Sequence, residues 1–227
     1  MSEQIKIRTF TGNPGTADWR VTSEGACAFY CTSDLGESTR FVAALAEVDG
    51  LAGQSFGIDV RRGGVLVRTV TERSDLFGLS QTDLDVALAI SAVAARLGLK
   101  ADPAQIQGLL FIPGAPDRAK IMPFWQAVMG YVPRLDSPDE DLVDPRDRNA
   151  PMWFEEMETP RTGNLGAIHP AVWVGIDQAQ ARVDAALAAG GTLVRDDYAP
   201  AWWTLADPYG NEVDVATVEH RDEPPPG

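Results

Sequence analysis

Apolar residues recur along this chain with two different periods, and each change of period marks an element. Short apolar or alternating runs at Cys27-Ala-Phe-Tyr-Cys-Thr32, residues 56–61 and residues 65–70 predict strands. The last two flank Arg62-Gly63-Gly64, whose paired glycines signal a hairpin. From Glu37 to Val48 the spacing becomes helical, with Phe41, Val42, Leu45 and Val48 on one face. The run Leu79-Ser80-Gln81-Thr82-Asp83 has the form of a capping box. It opens a helix striped by Leu84, Ala87, Leu88, Val93 and Leu97 and closed by Gly98. A small antiparallel sheet with two helices, an α+β unit, is the expected result.

Lys100-Ala-Asp-Pro-Ala-Gln105 is a polar joint with a proline and predicts a domain boundary. Beyond it the same order of elements is written twice. The first copy has a strand over 106–112, a helix over 116–129 with Ile121, Phe124, Trp125 and Val128 on one face, and short strands near Leu142-Val143 and over 152–156. Pro123 falls inside that helix and should bend it. The second copy has a strand over 168–176, a helix over 177–189 stopped by Gly190-Gly191, and strands at 192–194, 202–205 and 213–217. A repeated βαβββ order implies two similar halves packed edge to edge. The resulting division is an N-terminal segment 1–17, a first domain 18–102, a second domain 103–219 and a tail 220–227.

Composition narrows the partners. The 227 residues carry 19 Lys plus Arg against 33 Asp plus Glu, a formal charge of -14 that disfavours nucleic acid and anionic membranes. No run approaches the roughly 20 apolar residues of a membrane span, and the start Met1-Ser-Glu-Gln-Ile-Lys lacks the order of a secretory signal. A cytoplasmic protein is expected. Cys27 and Cys31, about 13 Å apart along a strand, are too distant for a disulfide and read as two buried small apolar residues. An exposed sheet edge predicts pairing with a second copy, a homodimer.

The segments Phe124-Trp-Gln-Ala-Val-Met-Gly-Tyr131 and Leu205-Ala-Asp-Pro-Tyr-Gly-Asn-Glu212-Val, with the βαβββ repeat, resemble the vicinal oxygen chelate superfamily of glyoxalases, extradiol dioxygenases and bleomycin-resistance proteins. Residues 18–99 resemble the pterin-4a-carbinolamine dehydratase fold through Asp18-Trp-Arg-Val21, the strand from Val65 to Thr71, and Gly78-Leu-Ser-Gln-Thr-Asp83. That family works with a His-His-Pro cluster and a Thr-His pair, which fall here on Gln54-Ser55-Phe56 and Thr71-Glu72. The resemblance therefore implies a dehydratase-like domain without its imidazoles. Only Asp83 matches a family position, and the capping box already accounts for it. Asp59 and Glu72 remain as an acid and a base on neighbouring strands.

Only two histidines occur, His169 and His220, the second in the polar tail. The superfamily draws metal ligands from the first and last strand of each copy, which implies His169 and Glu212, with Glu156 or its neighbour Glu155 as a third. Such a set could hold Zn²⁺, Mn²⁺ or Fe²⁺ with positions open to substrate oxygen. The same His169 and Glu212 could act as an acid/base couple without metal. Trp125, Trp153, Trp173, Trp202 and Trp203 could wall a cavity for an aromatic small-molecule ligand, although Trp202 and Trp203 must point to opposite faces of their strand. Two functions follow: an enzyme performing a lyase, isomerase or dehydratase-type step on an aromatic or oxygen-rich metabolite, and a non-catalytic binding or drug-sequestration protein. A pterin dehydratase with replaced catalytic groups is a third.

Overall fold

Alternation from Gly25 to Cys31 builds the central strand of the first sheet, because its inward side chains, Tyr30 among them, meet an apolar helix face. A computed structural model describes residues 2–48, 51, 54, 56–156, 169–174, 176–217 and 219, and divides the chain into units of residues 1–109 and 110–227. In the first unit α1 (Ile7–Thr11) and β1 (Arg20–Thr22) precede β2 (Gly25–Cys31) and α2 (Leu35–Ala46). After them come β3 (Phe56–Arg61), β4 (Gly64–Thr69), β5 (Thr71–Arg73), β6 (Leu76–Gly78), α3 (Gln81–Arg96) and β7 (Lys100–Ala101). The sheet order is β1-β2-β4-β3, with β7 also pairing β2.

The two long helices, α2 and α3, start on side-chain acceptors. Asp34 accepts from the Glu37 amide at 2.8 Å, and Asp83 accepts from the Ser80 amide at 2.7 Å, which is the return half of the capping box. The Arg62-Gly63 turn joins β3 to β4, with Gly63 at φ 89°. Gly64 is required for a different reason: a Cβ there would lie 2.4 Å from the Phe29 ring and 2.5 Å from the Tyr30 carbonyl oxygen. Phe10 is fully buried in this core and the Ile5 amide bonds the Leu79 carbonyl, so residues before Asp18 are built into the first unit and do not form a separate segment. Of the two cysteines only Cys27 is buried. Cys31 is exposed, since it ends the strand at the sheet's rim.

In the second unit the first copy runs β8 (Gly114–Ala115), α4 (Arg118–Met129), β9 (Val132–Pro133), β10 (Asp141–Val143), β11 (Met152–Trp153) and β12 (Glu155–Glu156). The second runs β13 (Ala171–Trp173), α5 (Ile176–Ala188), β14 (Thr192–Arg195), β15 (Trp202–Ala206) and β16 (Glu212–Ala216). The orders match: β9-β10-β11 continues into β12, which pairs β8 in parallel, and β14-β15-β16 continues into β13, again in parallel. The first strand of copy one begins later than the pattern suggests. Phe111 makes a lone bridge to Met152, and Pro113, which has no N–H to donate, interrupts the ladder before Gly114.

Ile121, Phe124, Trp125 and Val128 of α4 and Ala179, Val183 and Ala186 of α5 bury one core with Leu142, Met152, Phe154, Leu205, Val213 and Val215. One face of the four-stranded sheet is thereby committed to the helices. Alternation turns Glu212, Asp214 and Ala216 to the other face.

Candidate functional site

Two turns carry the repeat at the level of single atoms. Asp207, 2 % exposed, accepts from the Tyr209 and Asn211 amides through Oδ1, and from Asn211 Nδ2 at 2.7 Å and Trp125 Nε1 at 3.0 Å through Oδ2. Asp144 plays the same part in copy one, accepting from the Arg146 and Asn149 amides, from Arg146 Nε at 2.6 Å and from Asn149 Nδ2 at 2.6 Å. Burial pushes the Asp144 carboxyl up, but the Arg146 and Asn149 bonds and the Arg146 charge outweigh it and hold it below the usual carboxylate range. Arg182, half-buried, donates to the Val128 carbonyl at 2.8 Å. Burial and the nearby Arg146 charge lower its pKa.

The Asp207 turn also edges a cavity of about 180 Å³. Its wall is apolar through Phe111, Ile112, Pro113, Trp125, Met129, Met152 and Pro170, and polar only at Gly210, Asn211 and Glu212. Cavities of ~150 Å³ take one benzene ring, and drug-sized pockets start at roughly 300 Å³, so a ligand with a single ring or a short chain fits. The carboxylate of Glu212, half-buried, makes no hydrogen bond or ion pair among the described residues.

On the face turned from the helices, Asp214 is gripped from two sides. Thr204 Oγ1 donates to its Oδ1 at 2.7 Å, and its Oδ2 lies 3.2 Å from His169 Nε2. The sequence offered Glu212 as the partner of His169, and the structure gives that place to Asp214. Ala171 pairs with Asp214 in parallel register, so His169 starts level with Glu212, and its ring leans two residues along the strand. Asp214 reads in sequence as one more outward polar residue of a strand. Only the register reveals it.

Other expected site residues are scattered. Trp125 lines the cavity with its indole N–H committed to Asp207. Trp153 is exposed at the end of β11. Trp202 and Trp203 do take opposite faces: Trp203 packs on the helix core and Trp202 stacks on Tyr198, centroids 4.2 Å apart at 11°. The side chain of Trp173 and all of His220 and Ser55 lie outside the described residues. Glu156 is 3.8 Å from Arg118, which also holds Glu140 at 2.9 Å, and does not approach His169. Met152 and Phe154 are core residues, so alternation puts Glu155 rather than Glu156 on the side of Trp153. In the first unit Asp83 is buried between Thr69, Thr71 and Ser80, and Asp59 is tied to Arg61 at 2.8 Å on the exposed side of β3.

A family model described as glyoxalase-like domain matches residues 110–216. The second unit is a glyoxalase-like domain. Solved structures similar to it include a glyoxalase-related enzyme from Fulvimarina pelagi (21% identity, 50% of this chain and 88% of that chain, TM-score 0.38). A glyoxalase/dioxygenase from Nostoc punctiforme (11%, 51% and 94%, 0.38) and lactoylglutathione lyase from Agrobacterium tumefaciens (14%, 52% and 96%, 0.32) are two more. No curated protein matches the chain. Among the described residues of the glyoxalase-like domain, no three His, Cys, Asp or Glu side chains stand together as metal ligands. The set His169, Glu212 and Glu156 does not fit a divalent ion in this arrangement, because His169 is paired with Asp214 and Glu156 with Arg118. Nor is any described helix long and apolar enough to cross a membrane.

Proposed function

We propose that the glyoxalase-like domain is a small-molecule enzyme in which His169 moves a proton at a carbon or oxygen of the substrate. The observation that supports this is the Thr204-Asp214-His169 row, a carboxylate fixed on one oxygen and offering the other to an imidazole that is 37% exposed. With Nε2–H donated to Asp214, Nδ1 carries the free lone pair and is the base, and Asp214 stabilises the imidazolium that forms. Pro170, which follows His169, and Glu212, two residues before Asp214, both line the cavity; Glu212 supplies a second acid/base group, while Phe111, Met129 and Met152 receive the apolar end of the substrate. Proton abstraction beside a carbonyl, the first half of an isomerase or lyase step, suits this set. The first unit, a dehydratase-like fold lacking the family's imidazoles, serves as a scaffold in this reading.

The test is deuterium exchange at the α-carbon of 2-hydroxyacetophenone in D₂O, followed by proton NMR. The wild-type protein should exceed the buffer rate, His169→Gln should lose about 10²-fold or more, and Asp214→Asn should fall between them. No acceleration by the wild type, or an undiminished rate in His169→Gln, defeats the proposal. The Tyr198-Trp202 stack favours a second reading, a protein that holds a flat ligand unchanged. That reading predicts binding that His169→Gln leaves intact, with no exchange.

A further inference from the structure

We propose that the substrate of this site carries a carboxylate, and that Arg195 is the residue that selects for it. The inference rests on the reading of His169 as the base, since that fixes where the reacting atoms sit.

Register places the two groups in one line. Asp214 pairs with Thr204, and Thr204 pairs with Arg195. A bulge between Leu193 and Arg195 brings the arginine onto the same face as Thr204, where unbroken alternation would have turned it away. The His169 ring leans over Asp214, so Arg195 stands two strands from it, ~10 Å at the usual strand spacing.

Arg195 passes over the carboxylates around it. Asp196 and Asp197 follow it in the chain and Asp214 lies two strands away, yet it forms no ion pair with any of them. Its guanidinium lies instead over the Tyr198 ring, 5.4 Å from the centroid, and Tyr198 in turn stacks on Trp202. A guanidinium drawn to an aromatic face still has N–H donors to offer, and its planar fork suits bidentate recognition of a planar anion. Register puts no second Lys or Arg on that face of β13 to β16 among the described residues, so a carboxylate is served better than a phosphate dianion.

The probe is 4-oxo-4-phenylbutanoate, whose ring, ketone and carboxylate span this distance, compared with its neutral amide by tryptophan fluorescence. The carboxylate should bind about tenfold more tightly than the amide, and raising salt to about 0.3 M should shrink that preference because the guanidinium is exposed. Arg195→Gln should abolish the preference and Arg195→Lys should restore part of it. Tyr198→Leu, which frees the fork to swing, should reduce it. Equal affinity for acid and amide, no binding of either, or a full preference in Arg195→Gln overturns the proposal. His169→Gln should leave the preference intact, so loss of exchange chemistry and loss of carboxylate selection are read separately.

Discussion

Replacing Asp207 by alanine removes four hydrogen bonds from a side chain that is 2 % exposed. The Tyr209 and Asn211 amides and the Asn211 side chain sit in a half-buried turn, and water can take over part of what they lose. Trp125 Nε1 is rescued less readily, because the indole is 3% exposed. Stranding it costs ~1–3 kcal/mol, and the three turn bonds add ~0.5–1.5 kcal/mol each before water recovers some. A loss of about 3–5 kcal/mol is expected. Urea unfolding followed by tryptophan fluorescence reports chiefly on this unit, since five of the six tryptophans lie from Trp125 onward. A double-mutant cycle with Trp125→Phe isolates the indole bond: if it matters, the two losses fall short of additivity by about 1–2 kcal/mol. A loss below about 1 kcal/mol for Asp207→Ala, or additivity within ~0.3 kcal/mol, would show that the turn is held by packing and not by this carboxylate.

Three other outcomes are expected. Asp144 is held below the ordinary carboxylate range, so its contribution is complete above pH ~4, where the unfolded carboxyl is ionised, and disappears as pH falls through the depressed folded value. Asp144→Asn should therefore flatten the acid limb of the urea midpoint plotted against pH, and an unchanged limb would refute the assignment. Gly64→Ala pushes a methyl against the Phe29 ring and the Tyr30 carbonyl and should cost about 2 kcal/mol or more in thermal unfolding, with Gly63→Asn at the open turn much milder. Phe124→Ala empties the site under Gly191, where the ring lies 2.4 Å from a virtual Cβ, and should cost ~3–5 kcal/mol; adding Gly191→Ala to it should cost less than Gly191→Ala alone.

Local chemistry made much of this chain readable. The capping box at Ser80, the Arg62-Gly63 hairpin and the helical stripes of α3 and α4 depend on neighbours in sequence, and each stands where the pattern put it, except that Leu97, expected to close the α3 stripe, is the exposed cap residue beyond the helix. The βαβββ repeat was readable because both copies keep their order of periods. The candidate site was less so, because its geometry is set across strands. That His169 reaches Asp214 rather than Glu212 depends on the parallel register of β13 on β16. Arg195 was missed because a bulge, invisible to alternation, decides its face. Glu156 went to Arg118 because β12 ends beside the start of α4, a tertiary fact with no local signal. Asp144 escaped notice because its turn is one residue longer than that of Asp207 and the two motifs do not align letter by letter.

That difference in length says something about how this architecture varies. Asp144 holds an asparagine five positions on and Asp207 one four positions on, and the amide bonds are 2.6 and 2.7 Å. A single carboxylate thus pins turns of two sizes in the two copies, one between β10 and β11 and one between β15 and β16. Each copy carries such a fixed point where its chain turns into the last strands, so loops of different length leave and return from one anchored carboxylate.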